Sequence, residues 1–366
     1  MELVLTDGTV FSGKSFGAQR DAQGEVVFNT GMVGYVETLT DPSYRGQILV
    51  VTYPLVGNYG VPEGPFESEQ IQVQGLIIHS HCERPSHAAS KRTLGAWLKS
   101  QSIPAMEGVD TRSLTRHLRS HGTIEGQLLL SAADRRKNGE DAETQLLPEV
   151  VRMSEVVNLV ALKEAVVYPG GELQILLVDT GAKENIVRCL QTLGATVTRV
   201  PWNYPWETYL DKVDGLMLAN GPGDPAQLSV PIHLHRVRQA MNHGKPIFGI
   251  CLGHQWLAMA AGAKMRKMKY GHRSHNQPVL DLRTQRAYLT SQNHGYAVDV
   301  TRLKSDWEPW FVNLNDGSNE GIRHKYMPFC SVQFHPEAAA GPRDTRFMFE
   351  DFYRTTMEYR SIRSIN

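Results

Sequence analysis

Apolar residues come in two textures along this chain of 366 residues. Up to about Leu130 they form short runs broken by glycine and proline: "EVVFNTG" (25–31), "QILVVTYP" (47–54) and "VQGLIIHS" (73–80). Helical spacing follows near Thr93–Ser100 and Thr111–Ser120, and the mixture predicts an α+β domain. After "YPGG" (168–171) the pattern alternates. A strand-like "LQILLVD" (173–179) leads to a helix-like "KENIVRCLQTLG" (183–194), then the strands "ATVTRV" (195–200) and "GLMLAN" (215–220), the helix "IHLHRVRQAMNHG" (232–244), and the strand "PIFGI" (246–250) with another helix behind it. Alternation of this kind predicts an α/β fold, a doubly wound and mostly parallel sheet with helices on both faces. The expected organisation is therefore a first domain over 1–150, a linker over 151–170 and the α/β domain over 171–366. Residues 133–145, "ADRRKNGEDAETQ", are polar enough to predict a surface loop or the start of the linker.

Charge changes the picture by exclusion. With 38 Lys+Arg against 38 Asp+Glu, nothing predicts a general attraction to nucleic acid or to an anionic membrane surface. The N-terminal "MELVLTDGTVFSG" reads as two strands about an Asp-Gly turn, and no apolar run is long enough for a membrane span, so neither a targeting segment nor a membrane anchor is expected. Four cysteines stand far apart with no C-x-x-C pair, which argues against a cysteine zinc site or a disulfide framework, and for a reducing, cytoplasmic setting.

One of those cysteines has a distinctive address. In "KPIFGICLGHQWLAMAAGA" (245–263), Cys251 sits where the apolar run ends and helical spacing begins, with Gly249 two residues before it and Gly253 two after. A lone cysteine is usually a small buried hydrophobe. Gly-Ile-Cys-Leu-Gly, however, is a thiol version of the G-x-S-x-G elbow, where a strained strand-to-helix turn exposes a nucleophile. The helix N-terminus there also favours the thiolate.

A thiol nucleophile calls for a histidine. Of 14 candidates, His335 in "CSVQFHPE" (330–337) follows a strand-like run that Pro336 ends, which leaves the imidazole at the strand's exit. Glu337 is placed to orient the ring, as a triad carboxylate does. Attack on a carbonyl also needs donors for the developing oxyanion. Gly221 and Gly223 of "NGPGDP" (220–225) can bring backbone N–H groups close to a ligand, although such clusters are commonly plain turns. The amide of Leu252, next after the nucleophile, is the second expected donor.

Together, "GICLGHQ", "NGPGDP", "SQNHGYAV" and "QFHPE" resemble the triad-type glutamine amidotransferases. The first half, with "FNTGMVGYVETLTDPSY", "YPLVGNYG" and "GVDTRSLTRHLR", is similar to the small, glutaminase subunits of carbamoyl phosphate synthetase. This resemblance implies that Cys251 is the nucleophile, His335 the base and acid, and Glu337 the orienter. It implies oxyanion amides at Gly221 and Leu252, and L-glutamine held by Ser43, Gly223, Gln255, Asn293, Gly295 and Tyr296. It further implies that ammonia passes to a large synthetase subunit, in a heterodimer or higher oligomer, where ATP and Mg are used. No cofactor and no metal is expected in this chain, which has no G-x-x-x-x-G-K-[ST] loop. Tyr296 stands where many relatives have Phe, and Ser274 of "GHRSHNQP" (271–278) replaces a usual Gly, which leaves the local backbone open. Three rival readings stand beside this one: a glutaminase serving another acceptor, a silent interaction subunit, and a free-standing cysteine hydrolase.

Overall fold

The computed structural model describes residues 1–137, 151, 155–227 and 230–363. Two compact units divide the chain, Met1–Arg152 and Met153–Asn366.

In the first unit an eight-stranded sheet carries the fold. Four strands in its middle, Ala22–Asn29, Gln47–Val51, Gly75–Ile77 and Ala105–Glu107, run parallel, and antiparallel strands flank them. The apolar runs seen in the sequence become this buried centre, with Ile48, Leu49 and Val50 wholly enclosed. Helices occupy Leu94–Ser100 and Thr111–His121, capped by the Thr93 and Asp110 side chains. Of the polar stretch 133–145, the part up to Lys137 belongs to a helix, Ala132–Lys137, where a loop was expected, and the rest lies outside the described residues.

The second unit is built on a ten-stranded sheet. Its elements are β1 (Val166–Tyr168), β2 (Gln174–Asp179), α1 (Glu184–Thr192), β3 (Thr196–Pro201), β4 (Gly215–Leu218), α2 (Val230–Asn242), β5 (Ile247–Ile250), α3 (Leu252–Ala260), β6 (Lys264–Asp281), β7 (Ala287–Asp299), β8 (Trp307–Asn313), β9 (Asn319–His324), β10 (Phe329–Val332) and α4 (Phe347–Arg363). The strand order is β1-β3-β2-β4-β5-β10-β9-β7-β6-β8. Strands β3, β2, β4, β5 and β10 are parallel neighbours, as the alternation predicts. The other half, from β9 to β8, is antiparallel, a meander the alternation did not disclose.

The segment expected to be a linker is partly built into this unit. Val156 and Val157 are buried in a 3-10 turn, Leu162 donates its N–H to Asp179 Oδ2 at 2.7 Å, and β1 pairs with β3. Isolated apolar residues at these positions carry no strong period, so their burial is a tertiary effect.

Candidate active site

Four parallel strands, β2, β4, β5 and β10, end side by side, and the candidate residues lie just past those ends. This is the edge at which open α/β sheets bind ligands.

Cys251 closes β5 and opens α3 with φ 53 and ψ −101, a left-handed backbone that a side-chain-bearing residue adopts only under constraint. Its N–H donates to the Val332 carbonyl at 2.9 Å, extending the β5–β10 ladder by one step before the turn. The turn is tight enough to need both flanking glycines. A Cβ on Gly249 would stand 2.7 Å from the Gly253 carbonyl oxygen, and one on Gly253 would stand 2.2 Å from that of Leu218. Leu252 and Gly253 begin the helix, so the Leu252 N–H has no acceptor within α3, while Gly253 donates to Ala219 at 3.0 Å.

His335 leaves β10 with its backbone N–H bound to the Ser291 carbonyl at 2.9 Å. Its Nδ1 lies 2.6 Å from Glu337 Oε1, and Lys183 Nζ approaches that same oxygen at 3.4 Å. All of these groups are buried. Burial and Lys183 both pull the imidazole down, but Glu337 and the Cys251 thiol outweigh them and hold it up at about 9. Burial pushes the Glu337 carboxyl up, yet His335 and Lys183 prevail and bring it to about 2. The pair is thus an imidazolium and a carboxylate at neutral pH, with His335 Nε2 left over for the sulfur's side, having no hydrogen-bond partner among the described residues.

Around the sulfur, the Asn293 carbonyl oxygen lies at 3.8 Å and Gln333 Nε2 at 3.6 Å. Gln255, one turn into α3, donates to Gln333 Oε1 at 3.1 Å and to the Tyr296 carbonyl at 3.5 Å. Asn293, Gly295 and Tyr296 all lie on β7, so the "QNHGY" stretch and the α3 residues are joined through these contacts. Ser274 pairs with Gln292 in ordinary strand backbone, with no positive φ, just before a bulge in β6. Its hydroxyl is buried without a hydrogen-bond partner among the described residues.

The "NGPGDP" stretch follows β4. Asn220 is wholly buried, accepts the Lys183 N–H at 3.0 Å and donates to the Gly181 carbonyl at 3.1 Å. A Cβ on Gly221 would lie 2.1 Å from the Thr180 carbonyl oxygen, and Gly223 has φ +101. Both glycines are therefore backbone requirements.

The loop after β2, "DTGAKEN" (179–185), is the part that sequence reasoning passed over. Asp179 Oδ1 accepts from Gly181 and Ala182 at 2.9 and 2.7 Å, and Arg199 lies 3.2 Å from Oδ2. That fixed loop aims Lys183 at Glu337, and Asn185 Nδ2 donates to the Glu337 carbonyl. Its only signal was its position, a Gly-containing exit from the first strand of the alternating region. Gln333, inside a motif already noted, and His254 were missed as well. His254 is wholly buried, its Nδ1 lies 2.8 Å from Ser331 Oγ, and burial pushes it down to about 3.

Ser43 belongs to the first unit. It is buried in a 3-10 turn, Pro42–Tyr44, whose capping residue Asp41 accepts the Ser43 N–H at 2.9 Å.

Residues 3–128 match the family described as "Carbamoyl-phosphate synthase small chain, CPSase domain", and residues 176–355 match "Glutamine amidotransferase class-I". Over 377 residues the chain is 44% identical to the "Carbamoyl phosphate synthase arginine-specific small chain" of Debaryomyces hansenii, taking in 100% of this chain and 87% of that protein. It is 46% identical to "Multifunctional protein URA2" of Saccharomyces cerevisiae, over 98% of this chain and 18% of that one. With "Multifunctional protein CAD" of Squalus acanthias the identity is 47%, over 96% of this chain and 16% of the other. The chain thus spans less than a fifth of these multifunctional relatives, but most of the small-chain one.

Proposed function

The chain belongs to the family of carbamoyl phosphate synthase small chains and carries a class-I glutamine amidotransferase domain, and on that premise we propose that Cys251, His335 and Glu337 hydrolyse L-glutamine. The observation that carries this reading is the strained strand-to-helix turn at Cys251 with the buried His335–Glu337 pair beside it.

The thiol's proton passes to His335, and the sulfur attacks the side-chain amide carbon of glutamine. Charge gathers on the amide oxygen, where the Leu252 and Gly221 N–H groups receive it. His335 then protonates the leaving nitrogen, the C–N bond breaks, and ammonia departs from a glutamyl thioester. Water, deprotonated by the same ring, cleaves the thioester to glutamate and returns the thiol. Glu337 keeps the ring oriented and its charge balanced, while Lys183 and Asn185 hold Glu337.

Gln255, Gly223, Asn293, Gly295 and Tyr296 hold the substrate in this reading, and the resemblance adds Ser43. Ammonia goes to a large synthetase subunit, in a heterodimer or a higher oligomer, which uses ATP and Mg to make carbamoyl phosphate for arginine and pyrimidine synthesis. This chain itself needs no cofactor for the glutaminase step, and the setting is cytoplasmic. No helix among the described residues is long and apolar enough to cross a membrane.

The test is the assembled complex carrying Cys251→Ser. Glutamine-dependent carbamoyl phosphate formation should vanish while formation from added ammonium salt continues. Retention of glutamine-dependent synthesis would overturn the proposal.

A further inference from the structure

Spacing along the chain gives no metal motif, yet three strands of the antiparallel half bring His272, His294 and Glu320 together in the interior. One ligand atom from each lies within 4.8 Å of the other two. His272 on β6 and His294 on β7 are direct register partners, their rings edge-on at 5.0 Å. Glu320, on β9, is wholly buried. None of the three has a part in the glutaminase chemistry.

The surrounding hydrogen bonds decide which atoms remain. His272 Nε2 lies 3.0 Å from Asp316 Oδ2 and donates to that carboxylate, which leaves Nδ1 as the lone-pair nitrogen. That nitrogen sits 3.3 Å from Glu320 Oε1, and Asn313 Nδ2 donates towards both, at 3.4 and 3.0 Å. On His294, Nδ1 donates to the Tyr296 carbonyl at 2.8 Å, so Nε2 is left as the acceptor. It faces the Gln292 side-chain oxygen at 3.0 Å, one acceptor against another. Glu320 Oε2 is buried and has no hydrogen-bond donor among the described residues. Acceptors gathered in an interior without donors are costly. A positive centre between them removes that cost.

We propose that His272, His294 and Glu320 form a binding site for a zinc-class divalent metal ion, with two imidazole nitrogens and one carboxylate as ligands. Two ligand atoms about 2.0–2.1 Å from a tetrahedral zinc ion lie roughly 3.3 Å apart, the spacing between His272 Nδ1 and Glu320 Oε1. The outer partners also fit. Metal-bound histidines donate their other ring N–H to a carboxylate or a backbone carbonyl, and Asp316 and Tyr296 supply one of each. Asp316, with 41% of its side chain exposed, marks the way in from the surface. His294 stands between Asn293 and Gly295, so a bound ion braces the strand proposed to hold glutamine; that consequence rests on the proposed function, whereas the site does not.

The rival occupant is a proton on His272 Nδ1, bridging to Glu320 without any ion. Metal binding to the full chain separates the two. The Cys251→Ser protein, which keeps the catalytic thiol from capturing metal, is stripped with chelator and dialysed against Co2+ and, separately, Zn2+. One tightly held ion per chain is expected, with the intense visible absorption of four-coordinate Co2+. Glu320→Gln and His272→Asn should each weaken that binding at least a hundredfold, and the rise in unfolding temperature on adding Zn2+ should disappear with it. X-ray absorption of the Zn2+-loaded protein should show two imidazoles and a carboxylate, a readout that does not depend on the variants folding. A chain that takes up no tightly held ion, equal uptake in both variants, or a shell without two imidazoles would overturn the site in favour of the proton.

Discussion

Two cysteines on adjacent strands of the second unit differ in almost everything but residue type. In the β5–β10 register Phe248 pairs with Cys330 and Ile250 with Val332, so Cys330 lies within the ladder and Cys251 one residue beyond its end. Burial, aided by Asp351 and opposed by Arg323, pushes the Cys330 thiol up to about 12. Cys251 instead occupies a left-handed turn, with a helix N-terminus on one side and the His335 imidazole on the other. Reactivity follows from the strand's exit, where backbone N–H groups and a second strand's loop converge. A thiol three residues back along the same pair of strands is packing.

The sharpest way to break this contrast is to make the same change at both places. Cys251→Ser should lower glutamine hydrolysis by about 10^3-fold or more, the scale seen when a nucleophile acting as part of a unit is lost. Cys330→Ser should leave the rate within about twofold, an exchange that removes no reacting atom and falls in the usual range of non-site changes. Comparable losses at both positions, in folded proteins, would erase the distinction.

The partners of Cys251 come next. His335→Asn removes base and acid together, a loss of roughly 10^2–10^4-fold. Glu337→Gln removes a hydrogen bond to a charged ring, about 1.5–3 kcal/mol, hence roughly ten- to a hundredfold. A pH–rate profile for His335→Asn that matched wild type would show that another group carries the proton.

Legibility in the sequence followed the same contrast. Cys251 and His335 could be read because strand, turn and glycine signals are local, and the parallel half of the sheet could be read from its alternation. Lys183 could not. It reaches Glu337 because Asp179, Asn220 and Arg199 fix the intervening loop, and those contacts span up to 37 residues of sequence. Strands β6 and β7 escaped for a different reason. Their residues, such as "KMRKMKYGHRSHNQP" (264–278), are polar and half-exposed, so neither period stands out. The burial of residues 156–162 likewise had no local signal, and the convergence of His272, His294 and Glu320 rests on cross-strand register.

Lys183→Met tests the overlooked loop with a smaller effect. The lysine's charge disfavours the imidazolium, so its removal should let His335 keep its proton to higher pH. The alkaline limb of the pH–rate profile should therefore move up, by about one unit or less. Movement of that limb to lower pH would place Lys183 outside the site's electrostatics.

The smallest expected effect concerns stability. His254 is held neutral by burial, at about 3 against an ordinary 6.5. Between these values the unfolded chain binds the proton and the folded one does not, so stability falls as pH drops below 6.5. From pH 7.5 to 5.5 this group alone should cost about 1 kcal/mol. Denaturant unfolding at the two pH values should show a shallower dependence in His254→Asn than in the parent. An unchanged dependence would mean that the ring takes up a proton in the folded state.

The central claim, that the strand exit makes Cys251 the nucleophile, is tested most directly by covalent trapping. The chain is treated at neutral pH with a diazoketone analogue of glutamine, with and without excess glutamine, then digested and mapped by mass spectrometry. The account predicts one modification per chain, on the peptide containing Cys251, suppressed by glutamine and absent in His335→Asn. Modification of Cys82, Cys189 or Cys330 at equal rate, or labelling of Cys251 that glutamine fails to suppress, would contradict it.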